Sequence, residues 1–260
     1  MKILDDLSLE SLTEQLSRAS RRYVLDVKLE NYSCKMVSEE KRQYKDLVSR
    51  LEIEGEQSSC LRLSSSRTIR GLRELTGLPI SRSSYQMSSS QAEADDNVSS
   101  RNRSRTSSSC SEEGSLNSPT KASQLSITAK EFFCLMSTLN LSFNSAYDFL
   151  TAESDEFCLE PELRIVKHYI SRLCSIYVDK YELLAPKLWL AINEAIVPHK
   201  CVIYSYRPNH ASDPYSSGCL ASFNYFFCNR DLKRILFFSL RVLNESPAEE
   251  QFEDEMQDIF

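Results

Sequence analysis

Three histidines, His168, His199 and His210, are the side chains in this sequence best suited to acid–base or metal chemistry. A histidine acts as a general base when a nucleophile lies beside it and an acid orients its ring, and the sequence indicates no such partners. The last two, with Cys201 and Cys219, form the best metal-ligand set, but their spacing matches no zinc motif. The five glycines form no phosphate-binding loop. We therefore expect no enzyme, no catalytic residue, no metal and no cofactor.

A serine-rich stretch carries motifs for a different chemistry, phosphorylation. Residues 58–126 contain 22 serines in 69 positions. Arginines stand three and five residues before Thr106 and Ser108, a spacing that basic-directed kinases recognise because acidic pockets bind both guanidinium groups. Ser118 precedes a proline, as proline-directed kinases require, and two further serines stand three residues before a glutamate. The candidate phosphorylation sites are Ser90, Thr106, Ser107, Ser108, Ser109 and Ser118.

The arginines of this motif are Arg101, Arg103 and Arg105, and they also form a candidate nuclear-import signal. Phosphates added beside them would weaken their positive charge. We therefore expect a protein that moves between the nucleus and the cytoplasm with its phosphorylation state. The alternative, in which the serine-rich stretch only solvates the chain, stays open.

The composition of this stretch also divides the chain. With Tyr85 as its only aromatic residue, the stretch buries too little apolar surface to offset the entropy of ordering, so it is predicted to be disordered. We predict four parts: 1–51 as the N-terminal part of one α+β domain, 52–126 as a disordered regulatory linker, 127–243 as the C-terminal part of the same domain, and 244–260 as an acidic tail.

Hydrophobic periodicity predicts the elements on both sides of this linker. Leu9, Leu12 and Leu16 recur at helical spacing, and residues 23–32 alternate as a half-buried strand does. After the linker, three helical stripes precede three strands, of which the last two are joined by a turn at 229–231. Helices in one stretch and hairpin-linked strands in another predict an α+β fold, an antiparallel β-sheet flanked by helices, with the long serine-rich segment as an insertion.

Charge and hydropathy exclude further classes. The 260 residues carry a net charge of −6, which argues against a general binder of polyanions. No apolar run approaches the roughly 18–20 residues of a membrane span, and Asp5 and Asp6 stand where a signal peptide needs apolar residues. The nine cysteines, an odd number with no C-x-x-C, are expected to be reduced thiols. We expect a soluble intracellular monomer that binds neither a membrane nor a specific nucleic-acid sequence.

Several strings of residues, in their order and spacing, resemble those of the Maf-type negative regulators of RNA polymerase III transcription. The strings are N-Y-S-C-K-M at 31–36, P-K-L-W at 186–189, I-Y-S-Y at 203–206, D-P-Y at 213–215 and S-F-N-Y-F-F at 222–227. The resemblance covers about residues 1–51 and 127–242. Ala221 departs from it, since many relatives carry tryptophan there.

The resemblance implies a conditional repressor without enzymatic activity. Such proteins bind RNA polymerase III near its clamp and prevent its recruitment to promoter-bound initiation factor under stress or starvation. Protein kinases of the target-of-rapamycin and cyclic-AMP pathways switch them off by phosphorylating the linker, and phosphatases reverse this. The implied partners are the polymerase, initiation-factor subunits, kinases and phosphatases. The implied fold is an antiparallel sheet flanked by helices.

Polar residues in or near the matching strings are candidates for the surface that contacts the polymerase. The aromatic residues of 223–228 are predicted to pack, with one of the two alternating sets facing the core. The alternative for Asp213 is that it forms a turn. The alternative for Lys233 and Arg234 is that they lie at a solvated strand end. The partner-binding candidates are Lys35, Tyr204, Tyr206, Asp213, Asn224, Lys233 and Arg234.

Two other functions remain as alternatives at this point. A helix-flanked sheet can hold a pocket, so a small-molecule-sensing regulatory domain without polymerase binding is the second hypothesis. An enzyme that uses one of the three histidines is the third.

Overall fold

A computed structural model describes residues 1–53, 61–65, 68, 126–143, 148–208 and 218–244 of the chain. The helices in these ranges are α1 (Leu7–Ser17), α2 (Ser38–Ile53), α3 (Ala129–Phe143), α4 (Leu163–Tyr177) and α5 (Tyr181–Ile196). The strands are β1 (Lys2–Leu4), β2 (Tyr23–Ser33), β3 (Leu61–Arg62), β4 (Ser64–Ser65), β5 (Ser126–Ile127), β6 (Phe157–Glu160), β7 (Val202–Tyr206), β8 (Cys219–Asn229) and β9 (Arg234–Asn244). None of these helices is long and apolar enough to cross a membrane.

Seven of the strands form one sheet, in the order β1-β2-β9-β8-β7-β6-β4. The first six are antiparallel to their neighbours, and β4 adds a short parallel edge beside β6. β2 pairs with β9 along its whole length, from Tyr23 opposite Asn244 to Ser33 opposite Arg234. The strands before the serine-rich stretch thus share one sheet with the strands after it. The predicted α+β fold, an antiparallel sheet flanked by helices, is confirmed.

The first helix and the strand after it follow the predicted pattern. The side chain of Asp6 accepts hydrogen bonds from the backbone N–H groups of Ser8 and Leu9, at 3.1 and 3.3 Å, and so caps α1. The leucines of α1 and the alternating apolar residues of β2 are buried together in one core. These residues are Leu9, Leu12, Leu16, Leu25, Val27 and Leu29.

Helices cover both faces of the sheet, so the fold has two hydrophobic cores. The first core lies under α1, α4 and α5, and the second lies under α2 and α3. In β8, Phe223, Tyr225 and Phe227 are buried in the first core, and Phe226 and Cys228 in the second. The prediction that one alternating set faces the core is therefore incomplete, because both sets do. Burial on both faces explains the nearly continuous apolar runs of β8 and β9.

Ordered structure continues into the segment predicted to be a linker. α2 ends at Ile53, and Leu61 and Leu63 are buried in the second core, where β3 pairs with β5. Thr68 is buried as well, with its hydroxyl 3.1 Å from that of Tyr225. Described structure thus extends past residue 52, where the sequence predicts the linker to begin. Residues 69–125, with all candidate phosphorylation sites and the arginine cluster, lie outside the described residues, as does the acidic tail from 245 onward.

Candidate functional site

A cleft of about 1100 Å³ opens at one end of the sheet. Its walls come from the end of β2 and the residues that follow, the first turns of α3, and the turn between β8 and β9. The end of β1 and one lysine of α2 complete it. The cleft therefore joins parts of the chain that are about 100 to 200 residues apart in sequence.

Asn229 holds the β8–β9 turn in place. Its side-chain amide donates to the carbonyl of Ile196, at 2.8 Å, and its side-chain oxygen accepts from the N–H of Leu232, at 3.0 Å. Lys233 closes the turn in the left-handed region, with φ of 53°. Its carbonyl accepts from the N–H of Cys34, at 2.9 Å, which ties the end of β2 to the turn. Lys35 and Lys233 are therefore neighbours at this end of the sheet.

The start of α3 forms the opposite wall, and two hydrogen bonds between Thr128 and Glu131 fix its first turn. The hydroxyl of Thr128 accepts from the N–H of Glu131 and donates to its carboxylate, both at 3.2 Å. The other carboxylate oxygen of Glu131 accepts from Nε of Arg230, at 2.6 Å. This hydrogen bond raises the pKa of the Arg230 guanidinium above its ordinary value. The ion pair joins the β8–β9 turn to α3 across the cleft.

The cleft is strongly basic. Among the described residues, six exposed cationic side chains line it, against the single acid Glu131, which is engaged by Arg230. The other five form no ion pair with a residue that the structure describes. Because like charges held close together raise the local potential, the cleft attracts anions although the whole chain is acidic. The six cations are Lys35, Lys41, Lys130, Arg230, Lys233 and Arg234.

Three cysteines lie at the base of this cleft, and they differ in acidity. The neighbouring thiol of Cys134 lowers the pKa of Cys34, and Lys130 adds to the effect. Interaction with Cys34, together with burial, raises the pKa of Cys134, and burial raises that of Cys228. Cys34 is therefore the thiol of the cleft with the most thiolate character.

We predict that Cys34 is alkylated faster than the other described cysteines when the folded chain meets iodoacetamide at neutral pH. It is only half-buried, and thiolate is the reacting form, whereas burial raises the pKa of Cys174 and of Cys201 to about 12. Mass spectrometry of the digested protein over time measures each rate. We expect a rate at Cys34 about tenfold or more above that at Cys201. Equal rates at the two would contradict the lowered pKa of Cys34.

We also predict that Asn229→Ala lowers the free energy of unfolding by about 1–3 kcal/mol, because it leaves the buried carbonyl of Ile196 with only the weak S–H donor of Cys201, at 3.5 Å. Urea denaturation of both proteins measures the difference. Asn193→Ala is the matched control, since Asn193 is exposed on α5 and alanine is the better helix former. Equal stability of the Asn229→Ala protein and the unchanged chain would show that the turn is held by other contacts.

The structure brings together only some of the predicted partner-binding residues. Lys35, Lys233 and Arg234 meet in the basic cleft. Tyr204 and Tyr206 are 1% and 3% exposed in the second core, so their side chains pack inside the protein and present no contact surface. The physical reason is that β7 is covered on that face by α3, which buries the rings of both tyrosines together with Phe132 and Phe157.

The two remaining candidates lie elsewhere. Asn224 is half-buried in β8, and its side-chain oxygen accepts from the hydroxyl of Ser239, at 2.8 Å. Asp213 lies outside the described residues, and so does His210 of the considered metal-ligand set. Across the described part of the chain, no three His, Cys, Asp or Glu side chains are grouped to hold a metal ion.

Sequence reasoning missed three of the six cations of the cleft, namely Lys41, Lys130 and Arg230. Arg230 could have been predicted, because it lies in the turn expected at 229–231, close to the candidates Lys233 and Arg234. Lys130 and Lys41 could not have been predicted, because only the packing of α3 and α2 on the sheet brings them to the cleft.

The fold is a helix-covered antiparallel sheet with an open basic cleft at one end. The chain belongs to the Maf1 regulator family, whose model matches residues 25–239.

Two curated relatives and one solved structure are similar to it. A Dictyostelium discoideum protein named repressor of RNA polymerase III transcription is 38% identical over 122 residues, 46% of this chain and 43% of the relative. A Schizosaccharomyces pombe protein, repressor of RNA polymerase III transcription maf1, is 34% identical over 122 residues, 46% of this chain and 50% of the relative. The chain thus matches about half the length of these relatives. The crystal structure of citrus MAF1 shares the fold, with a TM-score of 0.51, 21% identity, and coverage of 91% of this chain and 98% of that one.

Proposed function

We propose that this chain represses transcription by RNA polymerase III, and that it does so by binding the polymerase through the basic cleft. The observation that carries the proposal is the convergence of Lys35, Lys233 and Arg234, all from regions that match the family, on one exposed surface. The names of the curated relatives supply the reaction that is repressed. The action is non-enzymatic.

Repression by binding is a competition for the polymerase. A chain bound near the clamp prevents the polymerase from joining promoter-bound initiation factor, so the fraction of active polymerase falls as the chain saturates it. Stress or starvation would raise the amount of unphosphorylated chain in the nucleus. Kinases and phosphatases that act on the serine-rich linker set that amount.

Chain connectivity supports a phosphorylation switch at the same surface. The serine-rich linker rejoins the fold at Ser126, two residues before Thr128 at the rim of the cleft. Ser118 is eight residues from Ser126, so it lies at most about 28 Å away along the chain. A phosphate adds a charge of about −1.5 to −2 and three acceptor oxygens. Phosphates this close to the cleft would lower its positive potential and weaken the attraction of an acidic partner surface.

Transcription from purified components tests the proposal. A transfer-RNA gene is transcribed by purified RNA polymerase III and its initiation factors, with increasing amounts of the unphosphorylated chain added before the polymerase. We expect transcription to fall with the concentration of the chain, while transcription by RNA polymerase II from its own promoter is unchanged. An unchanged yield from the transfer-RNA gene would end the proposal.

We predict that phosphorylation of the linker in vitro weakens polymerase binding by about tenfold or more, because several new charges oppose the cleft. A pull-down before and after kinase treatment measures the change, with a chain in which the six candidate hydroxyl residues are replaced by alanine as the control. Persistent binding of the phosphorylated chain would instead move the switch to localisation. In that case acidic substitutions at Thr106, Ser107, Ser108 and Ser109 should lower the nuclear fraction in starved cells.

A further inference from the structure

We propose that the occupant of the basic cleft is an acidic polypeptide segment of a partner protein, in which carboxylate side chains alternate with apolar ones. The inference rests on the proposed function in one respect, that the polymerase supplies the segment. The recognition chemistry itself is argued from the cleft and is tested without the polymerase.

The arrangement of charge points to carboxylates. Lys35 and Lys233 are brought side by side by the hydrogen bond between the N–H of Cys34 and the carbonyl of Lys233. Lys130 extends from the first turn of α3 on the other wall. These lysines have no ion-pair partner in the described part of the chain, so their ammonium groups are available to pair with the carboxylates of an incoming segment. Glu131 is engaged by Arg230 and repels an anionic occupant less than an isolated carboxylate would.

The apolar part of the lining points to a polypeptide. Leu232 lies at the tip of the β8–β9 turn, lines the cleft and is 45% exposed. Leu4 and Met36, both half-buried, line the cleft with it. Burying such side chains against apolar groups of a partner contributes about 25 cal/mol for each Å² removed from water. A segment with carboxylates alone would leave this surface unused.

A nucleic acid fits the same cleft less well. Single-stranded nucleic acids stack their bases on aromatic side chains, and none of the described residues that line the cleft is aromatic. The chain as a whole carries a charge of −6, which repels an extended polyanion beyond the cleft. A short acidic segment of a protein meets only the basic cleft.

The acidic tail of the same chain is also a poorer occupant. Residues 245–260 carry seven acids and no base, and they follow β9. β9 begins at Arg234, at the cleft, and ends at Asn244, opposite Tyr23 at the far end of β2. The ten residue steps between them span about 33 Å at the usual rise of a strand. The tail therefore follows the end of β9 that lies away from the cleft. Its residues nearest to β9 are too far from the cleft to enter it.

Fluorescence anisotropy on the purified full chain tests the inference. The probe is a short fluorescein-labelled peptide in which aspartate and leucine alternate. Two further peptides, with asparagine in place of aspartate and with glycine in place of leucine, separate the contribution of charge from that of apolar contact. We expect the first peptide to bind most tightly, and its affinity to fall as salt is raised.

Two double variants with the same net charge serve as test and control. Lys35→Glu/Lys233→Glu changes the cleft, whereas Arg172→Glu/Lys187→Glu changes exposed residues of α4 and α5 over the first core. We expect the cleft variant to bind the aspartate–leucine peptide about tenfold or more weakly and the control variant to bind as the unchanged chain does. Circular dichroism and thermal unfolding confirm that both are folded.

Three results would overturn the inference: equal affinity of the two double variants, equal binding of all three peptides, or tighter binding of single-stranded DNA than of the aspartate–leucine peptide. None of them would by itself remove repression of the polymerase. Conversely, a chain that binds the peptide as expected and leaves transcription unchanged would keep the cleft and reject the proposed function.

Discussion

Replacing Phe226 with alanine is expected to lower the free energy of unfolding by about 3–5 kcal/mol, the largest effect on stability predicted here. Phe226 is fully buried in the second core, at the centre of β8. Its ring lies 4.9 Å from that of Phe237 on the paired strand β9 and 6.2 Å from that of Phe157. Truncation would remove these contacts and leave a cavity between the sheet and α3, which rigid neighbouring strands cannot close.

Urea denaturation followed by circular dichroism measures this loss. Since a domain is stabilised by about 5–15 kcal/mol in all, the variant should unfold at a much lower urea concentration. Leu190→Ala is the matched control, because Leu190 is 60% exposed on α5 and its truncation creates no cavity. A loss below about 1 kcal/mol for Phe226→Ala would mean that the second core is not packed as described.

The second large effect concerns function. Lys35→Glu/Lys233→Glu is expected to raise the concentration of chain needed for half-maximal repression of a transfer-RNA gene by about tenfold or more. Both side chains are exposed, so the fold is expected to be unaffected, while the cleft loses two positive charges and gains two negative ones. The reversed charges repel the acidic surface that the unchanged cleft attracts.

The measurement is a dose series in the purified transcription system, with Arg172→Glu/Lys187→Glu as the control of equal net charge. If the control variant lost repression to the same degree, the total charge of the chain and not the cleft would be responsible. If neither variant lost repression, the contact surface would lie outside the cleft.

Much of the fold could be predicted because its signals are local. The helical spacing of Leu9, Leu12 and Leu16 and the alternation of β2 depend only on residues that follow one another. The second core could not be predicted in the same way. A strand such as β8, with aromatic residues at both alternating sets of positions, is compatible with one buried face or two, and only the packing of α2 and α3 decides between them.

The candidate site was predicted in part for a similar reason. Lys35, Lys233 and Arg234 lie in or near strings that carry the family resemblance, so they could be predicted from the sequence. Tyr204 and Tyr206 were predicted as contact residues because they are polar. A tyrosine ring is mostly apolar, however, and both rings are buried in the second core. The join between the β8–β9 turn and α3, made by Arg230 and Glu131, depends on tertiary contact alone.

Direct binding of the polymerase is tested by surface plasmon resonance. Purified RNA polymerase III is passed over the immobilised, unphosphorylated chain, with the Lys35→Glu/Lys233→Glu chain on a parallel surface. We expect saturable binding to the unchanged chain and about tenfold or more weaker binding to the variant. Absence of binding to the unchanged chain, with both proteins active and folded, would contradict direct binding of the polymerase.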